Sequence, residues 1–121
     1  MVVTEIFDEQ RFTALLDLAG SANAGELVLR LDEDLTRVAA ALITASPSLD
    51  LHKLREHSHV LLAIAGTVGA NRLFELASNL NARVRAADVG ALSDLLTEIA
   101  VLLDHLIQRV RTARTALPAP S

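Results

Sequence analysis

The 121-residue chain contains no cysteine, tryptophan or tyrosine, and three phenylalanines are its only aromatic residues. The absence of cysteine excludes a disulfide framework and thiolate metal sites. With so few aromatics, there is no platform on which nucleobases could stack. The chain carries 11 Lys and Arg against 15 Asp and Glu, a net charge of −4, and shows no basic stripe. The composition therefore argues against nucleic acid as a partner.

Proline is absent from residues 1–46 and again from 48–117, and no long apolar run is present. The least polar stretch, residues 60–70, is too short to span a bilayer. The first residues lack the basic and apolar regions of a signal peptide. We therefore expect a cytoplasmic protein with no membrane partner. The length predicts one domain over residues 1–121, and a content of 51% apolar and 21% charged residues predicts that this domain is globular.

Apolar residues recur at helical spacing throughout the chain, whereas strand-like alternation is hard to find. The pattern predicts a short first helix from Asp8 to Gly20 and four long helices after it. The long helices are predicted from the break at 21–25 to Pro47, over 51–68, from 70 to the turn at 87–88, and onward from about Gly90. These helices predict an all-α fold, an antiparallel up-and-down four-helix bundle with a short extra N-terminal helix. We expect its core to cover about residues 5–112, with 113–121 as a flexible tail.

Two neighbouring histidines on the third predicted helix point to different sides. At about 100° per residue, His57 lies only about 40° from the apolar stripe centred on Leu61, whereas His59 lies about 160° away. The spacing therefore predicts a structural, largely buried His57 and an exposed His59. Taken alone, an exposed histidine is most often an ordinary solvated residue.

The neighbours of His59 favour a docking surface. Ala63 follows one turn later and Gly66 two turns later, and small residues allow another protein to approach closely. Glycine inside a helix costs up to about 1 kcal/mol relative to alanine, so Gly66 requires a reason such as close approach. Asn81 on the next helix is predicted roughly level with His59, where its amide could hold one ring nitrogen and leave the other exposed. An interhelix hydrogen bond or a solvated Asn81 fits the spacing equally well.

Other constellations are weaker. His52, Glu56 and His59 share one side of the helix, but His59 lies seven residues from His52 and three from Glu56, which does not match the i, i+4 histidine pair of a compact metal site, so we expect no metal. The acidic run from Asp32 to Asp34 is interpreted as a solvated face.

The segment from His59 to Ile64, with the sequence HVLLAI, is followed by Gly69, Ala70 and Leu73. This pattern resembles the signature of the histidine-containing phosphotransfer (HPt) domain family. In that family the phosphorylated histidine is followed by Lys three residues later, Gly four residues later, and a Gly-Ala pair. The chain departs from the pattern at Leu62, which replaces the Lys, and at Ala63, which replaces the Gly.

The resemblance implies that His59 is the phosphoacceptor and that Asn81 takes the place of the family's Gln or Glu, which hydrogen-bonds the imidazole. It implies a phosphoryl carrier rather than an enzyme, without an ATP-binding module or a cofactor of its own. The implied partners are the receiver domains of a hybrid histidine kinase and of a response regulator, which supply the acidic pocket, the phosphoacceptor aspartate and Mg²⁺.

We expect a receiver's apolar helix to cover the surface around His59, and the chain to be a monomer. The expected partner-binding residues are Arg55, Val60, Leu62, Ala63, Gly66 and Arg72, with the two arginines at the rim. Two alternatives stay open. One is a degenerate HPt fold acting as an adaptor or kinase inhibitor, and the other is a plain helical interaction module.

Overall fold

Five helices account for most of the molecule. The computed structural model describes residues 7–45, 48, 50–90 and 92–117. The helices are α1 (Glu9–Ala19), α2 (Ala24–Ala45), α3 (Leu51–Val68), α4 (Asn71–Arg85) and α5 (Leu92–Ala116). No strand occurs within those residues. The predicted all-α class, with four long helices and a short N-terminal one, is confirmed.

Local sequence signals set several helix ends. Asp8 caps α1 by accepting a hydrogen bond from the backbone N–H of Arg11 at 3.1 Å, and Asp50 caps α3 in the same way. Gly69 ends α3 with a φ of 83°, in the left-handed region that glycine adopts without strain. Helix α2 begins at Ala24, so it starts inside the predicted break. The predicted stop at Ser46 and Pro47 lies outside the described residues.

The four long helices form a ring in which each packs on two others. Helix α3 contacts α2 and α4, and α5 contacts the same two helices from the other side. Aliphatic side chains fill the space between them, and the largest that are fully buried in the four helices are Leu35, Leu54, Leu61, Leu73, Leu80, Leu92, Ile99 and Leu103. Burial of this apolar surface is the main favourable term for folding. No described helix is both long enough and apolar enough to cross a membrane.

Helix α1 lies across α2 and α3 and is fastened at three points. The backbone N–H of Asp8 donates to the carbonyl of Gly69 at 2.8 Å. Phe12 is fully buried, and the guanidinium of Arg109 lies 4.9 Å from the centre of its ring. Arg109 also donates two hydrogen bonds of 2.6 Å to the carboxylate of Glu9, which holds the pKa of Glu9 below its usual value. These contacts fix α1 over the turn between α3 and α4.

Asp32 corrects the interpretation of the acidic run as a solvated face. Asp32 is only 7% exposed, because it lies beside Leu31 on the side of α2 that packs on α5. Both carboxylate oxygens accept from Nε of Arg111, at 3.1 and 3.2 Å, and Thr36 donates a further hydrogen bond. A second guanidinium, that of Arg114, lies 3.5 Å away. Asp32 therefore joins α2 to the last turns of α5.

The end of α5 also differs from the predicted tail. The helix continues to Ala116, and Ala113 is buried in the core, so residues 113–116 belong to the bundle. Residues 118–121 of the predicted tail lie outside the described residues.

The Asp32 network predicts a difference between two adjacent carboxylates. We expect Asp32→Ala to lower the free energy of unfolding by about 1–3 kcal/mol, because hydrogen bonds to a charged group are lost. Glu33→Ala, at an exposed neighbouring position, should change it by less than about 0.5 kcal/mol. Urea unfolding of both variants measures the difference. Equal effects would contradict a structural role for Asp32.

Candidate functional site

The two histidines of α3 differ in exposure. His59 is exposed, as its position opposite the apolar stripe predicts. His57 is half-buried, which is less than the predicted burial. The reason is its place at the edge of the stripe, whereas Leu61 at the centre is fully buried.

His59 lines an open groove on the surface with a volume of about 570 Å³, which we call the His59 groove. From α3 the groove is lined by His59, Leu62, Ala63, Gly66 and Thr67. Arg11 of α1 and Asn71 and Phe74 of α4 complete it. The structure thus brings four of the residues predicted for the site onto one surface, and adds others from two further helices.

Among its described residues, the groove carries one basic side chain and no acidic one. Arg11 is the only lysine or arginine that lines it, and no carboxylate does so among the described residues. Arg11 is exposed and makes no ion pair within the described part of the chain. The groove therefore combines an imidazole, a free cation and apolar surface.

Gly66 has a reason that differs from the predicted one. A Cβ atom at this position would lie 3.3 Å from two ring carbons of Phe74, which is closer than most such contacts. Glycine at position 66 therefore makes room for an aromatic ring of this chain rather than only for the backbone of a partner. Phe74 is 42% exposed and lines the groove, so it adds an aromatic surface there.

Asn81 also has a partner other than the predicted one. Its side-chain amide donates to Oγ of Ser58 at 3.2 Å, and Ser58 in turn donates to the carbonyl of Arg55 at 3.0 Å. Ser58 is fully buried and Asn81 half-buried, so the amide satisfies a polar group at the helix interface. Of the two interpretations that the spacing left open, the interhelix hydrogen bond is therefore the one observed, in place of a direct contact with the imidazole of His59. The predicted register is confirmed to within one residue, since Ser58 precedes His59.

Arg72 does not stand at the rim of the His59 groove. Its guanidinium donates to Glu75 at 3.1 Å and to Glu98 of α5 at 3.0 Å, and these hydrogen bonds raise its pKa above the usual value. The pairing turns the side chain toward α5, which corrects the predicted rim position. Arg55 is exposed one turn before His59, and Val60 is 39% exposed, but neither lines the groove. Their roles in partner binding stay predictions.

Three lining residues, Arg11, Asn71 and Phe74, are not indicated by the sequence pattern around His59, whereas Thr67 lies two turns after His59, beside Gly66. The turn at Gly69 offers a signal for Phe74, because Gly66 lies in the last turn of α3 and Phe74 in the first turn of α4, and the two helices form an antiparallel pair. For Arg11 no spacing rule was available, since its place depends on how α1 docks. Within the described residues, no group of three or more His, Asp or Glu side chains is placed to hold a metal ion.

Comparison with solved structures supports the architecture. The chain is similar to the crystal structure of histidine-containing phosphotransfer protein B (HptB) from Pseudomonas aeruginosa PAO1, with a TM-score of 0.82. The similarity covers 93% of this chain and 97% of HptB, at 15% sequence identity. At this identity the likeness shows a shared fold. Neither the protein-family models nor the curated proteins gave a match.

The two glycines that flank the end of α3 should respond in opposite directions to alanine. Gly66→Ala should raise the free energy of unfolding by up to about 1 kcal/mol, because helix propensity improves and the half-exposed ring of Phe74 can swing aside. Gly69→Ala should lower it by about 1–3 kcal/mol, because φ is positive and the new Cβ would meet Arg11 and Asp8 at 3.0–3.1 Å. Urea unfolding tests both. A loss of stability in Gly66→Ala equal to that in Gly69→Ala would show that the ring cannot move.

Proposed function

We propose that this chain carries a phosphoryl group on His59 and relays it between receiver domains of a two-component signalling system. The observation that carries the proposal is an exposed histidine in the middle of α3, opening onto a groove, in a bundle that shares the fold of an HPt protein. A cytoplasmic location and action as a monomeric carrier belong to the same proposal.

The proposed chemistry requires an accessible nucleophilic nitrogen. A neutral imidazole has a lone pair on one ring nitrogen and a proton on the other. In the forward step that nitrogen attacks the acyl phosphate of a receiver in line. The N–P bond forms while the P–O bond to the receiver's aspartate breaks, and the aspartate leaves as a carboxylate. The receiver supplies Mg²⁺ to balance the phosphoryl charge. The reverse step passes the group to the next receiver.

The groove supplies room for this encounter. Phosphoryl transfer depends mainly on positioning and on charge stabilisation, so the imidazole must meet the partner without obstruction. Ala63 is exposed and Gly66 has no side chain, so neither shields His59 on that side of α3. Leu62 is half-buried and packs against the core, which leaves apolar surface but no cation at the position of the family's Lys.

Asn81 is proposed as a positioning residue that acts through Ser58. The amide fixes the Ser58 hydroxyl, and that hydroxyl is bonded to the carbonyl of Arg55, one turn before His59. This chain of hydrogen bonds joins α3 to α4 directly beside the phosphoacceptor. It would hold the backbone that carries the imidazole, and it leaves both ring nitrogens to other partners.

Replacement of His59 tests the proposal. We expect His59→Gln to abolish acceptance of the phosphoryl group while changing the free energy of unfolding by less than about 0.5 kcal/mol, since the side chain lies outside the core. Asn81→Ala should slow transfer without stopping it. The measurement is radiolabel transfer from phosphorylated receivers encoded in the same genome, with urea unfolding in parallel.

The control is His57→Gln, which alters the half-buried neighbour and should leave labelling intact. Label on His59→Gln would disprove the proposed acceptor. If no receiver labels the wild type but receivers still bind it, the adaptor alternative is favoured, and Leu62→Lys is the first substitution with which to seek restored transfer.

Docking on the groove is tested by a charge placed inside it. Ala63→Glu should weaken binding to a receiver more than about ten-fold, because it brings a carboxylate against the partner's acidic site and its apolar helix. Ile43→Glu is the matched control. Ile43 is 67% exposed in a different apolar groove, between α2 and α5, and its replacement should leave binding unchanged. Titration calorimetry measures both. A stronger effect of Ile43→Glu would place the interface on the other side of the bundle.

A further inference from the structure

We infer that Arg11 is a specificity-determining residue of the docking surface, through which the groove recognises the acidic site of a receiver. The inference rests on the proposed function and extends it to a residue of α1 that the sequence pattern around His59 does not include.

The position of Arg11 is fixed by the contacts that hold α1 and by the packing of its own side chain against Gly69. Helix α1 is fastened by the hydrogen bond from Asp8 to Gly69 and by the pair between Glu9 and Arg109. The stem of Arg11 lies against Gly69, since a Cβ there would be 3.0 Å from its Cβ and 3.1 Å from its Cδ. The side chain therefore lies over the turn that ends α3 and lines the same groove as His59.

The charge of Arg11 is available to a partner. The arginines that join helices are paired with carboxylates of this chain: Arg72 with Glu98, Arg109 with Glu9, and both Arg111 and Arg114 with Asp32. Arg11 has no such pair within the described residues, and none of the residues that line the groove with it is acidic. Its guanidinium is thus free to bind a carboxylate of another molecule, and its planar fork suits two parallel hydrogen bonds.

The charge of the whole chain gives this cation an orienting effect. At a net charge of −4, the protein as a whole repels an acidic partner. Among the described residues the groove has an unpaired arginine and no carboxylate, which makes it locally attractive, so an acidic partner is steered to the face that carries His59. Because Leu62 is half-buried and apolar, α3 brings no cation of its own to the groove. Helix α1 supplies it instead.

The test compares two arginines of equal charge. Arg30 is exposed, makes no ion pair within the described residues and does not line the groove, so Arg30→Gln controls for the change in net charge. Association rates of the full chain with unphosphorylated receiver domains are measured by stopped-flow fluorescence between low and high salt. We expect Arg11→Gln to slow association about 3- to 10-fold at low salt and to flatten its salt dependence. Arg30→Gln should have a much smaller effect.

Two further variants keep the result interpretable. Arg11→Met retains the stem over Gly69 and should behave like Arg11→Gln, which separates charge from packing. Arg11→Lys retains the charge and should recover most of the association rate. Equal association rates for Arg11→Gln and Arg30→Gln would overturn the inference, and so would a wild-type rate in Arg11→Met.

The outcomes also separate this inference from the proposed function. If receivers label the wild type and Arg11→Gln associates normally, the carrier role stands and the role of Arg11 fails. If association depends on Arg11 but no receiver transfers its phosphoryl group, Arg11 keeps its recognition role and the carrier role fails. Failure of the wild type to bind any receiver overturns both.

Discussion

The packing of α3 on α4 across the turn at Gly69 is the contact on which the site depends. A left-handed glycine lets the chain reverse there, and the Gly69 carbonyl also accepts the hydrogen bond that begins the docking of α1. Above the turn, the ring of Phe74 lies over Gly66, and further along Asn81 reaches Ser58. These pairings fix the rotation of α3 about its axis. Because Leu61 must then face the core, His59 faces outward.

Charged side chains are distributed unevenly over the bundle. Those between helices are paired with one another, whereas the arginine in the His59 groove is unpaired within the described residues. Carboxylates pair with arginines where helices must be held together, as in the networks of Asp32 and Glu9. In such pairs the two charges neutralise each other. The His59 groove has no carboxylate among its described residues, so its one arginine and its imidazole are left to interact with another molecule.

Periodicity predicted most of the fold, because leucine and alanine at helical spacing leave few alternatives to a helix bundle. It also predicted that His59 is exposed and that the opposite face of α3, centred on Leu61, is buried. It failed where a residue's partner lies far away in sequence. In the sequence Asp32 is one of three consecutive acidic residues, and its partner Arg111 lies 79 residues away in α5. Arg11 lines the groove only because α1 packs over the turn at Gly69. Asn81 meets Ser58 rather than His59 because successive residues of a helix lie about 100° apart, so that Ser58 is buried at the interface with α4 whereas His59 is exposed.

The most direct measurement of the central claim is the location of the phosphoryl group among the four histidines of the chain. The wild type is incubated with a phosphorylated receiver and kept at alkaline pH, and the modified peptide is sequenced by tandem mass spectrometry. We expect the phosphoryl group on His59 alone, since it is the histidine that opens onto the groove. A phosphoryl group on His52, His57 or His105, with His59 unmodified, would contradict the claim.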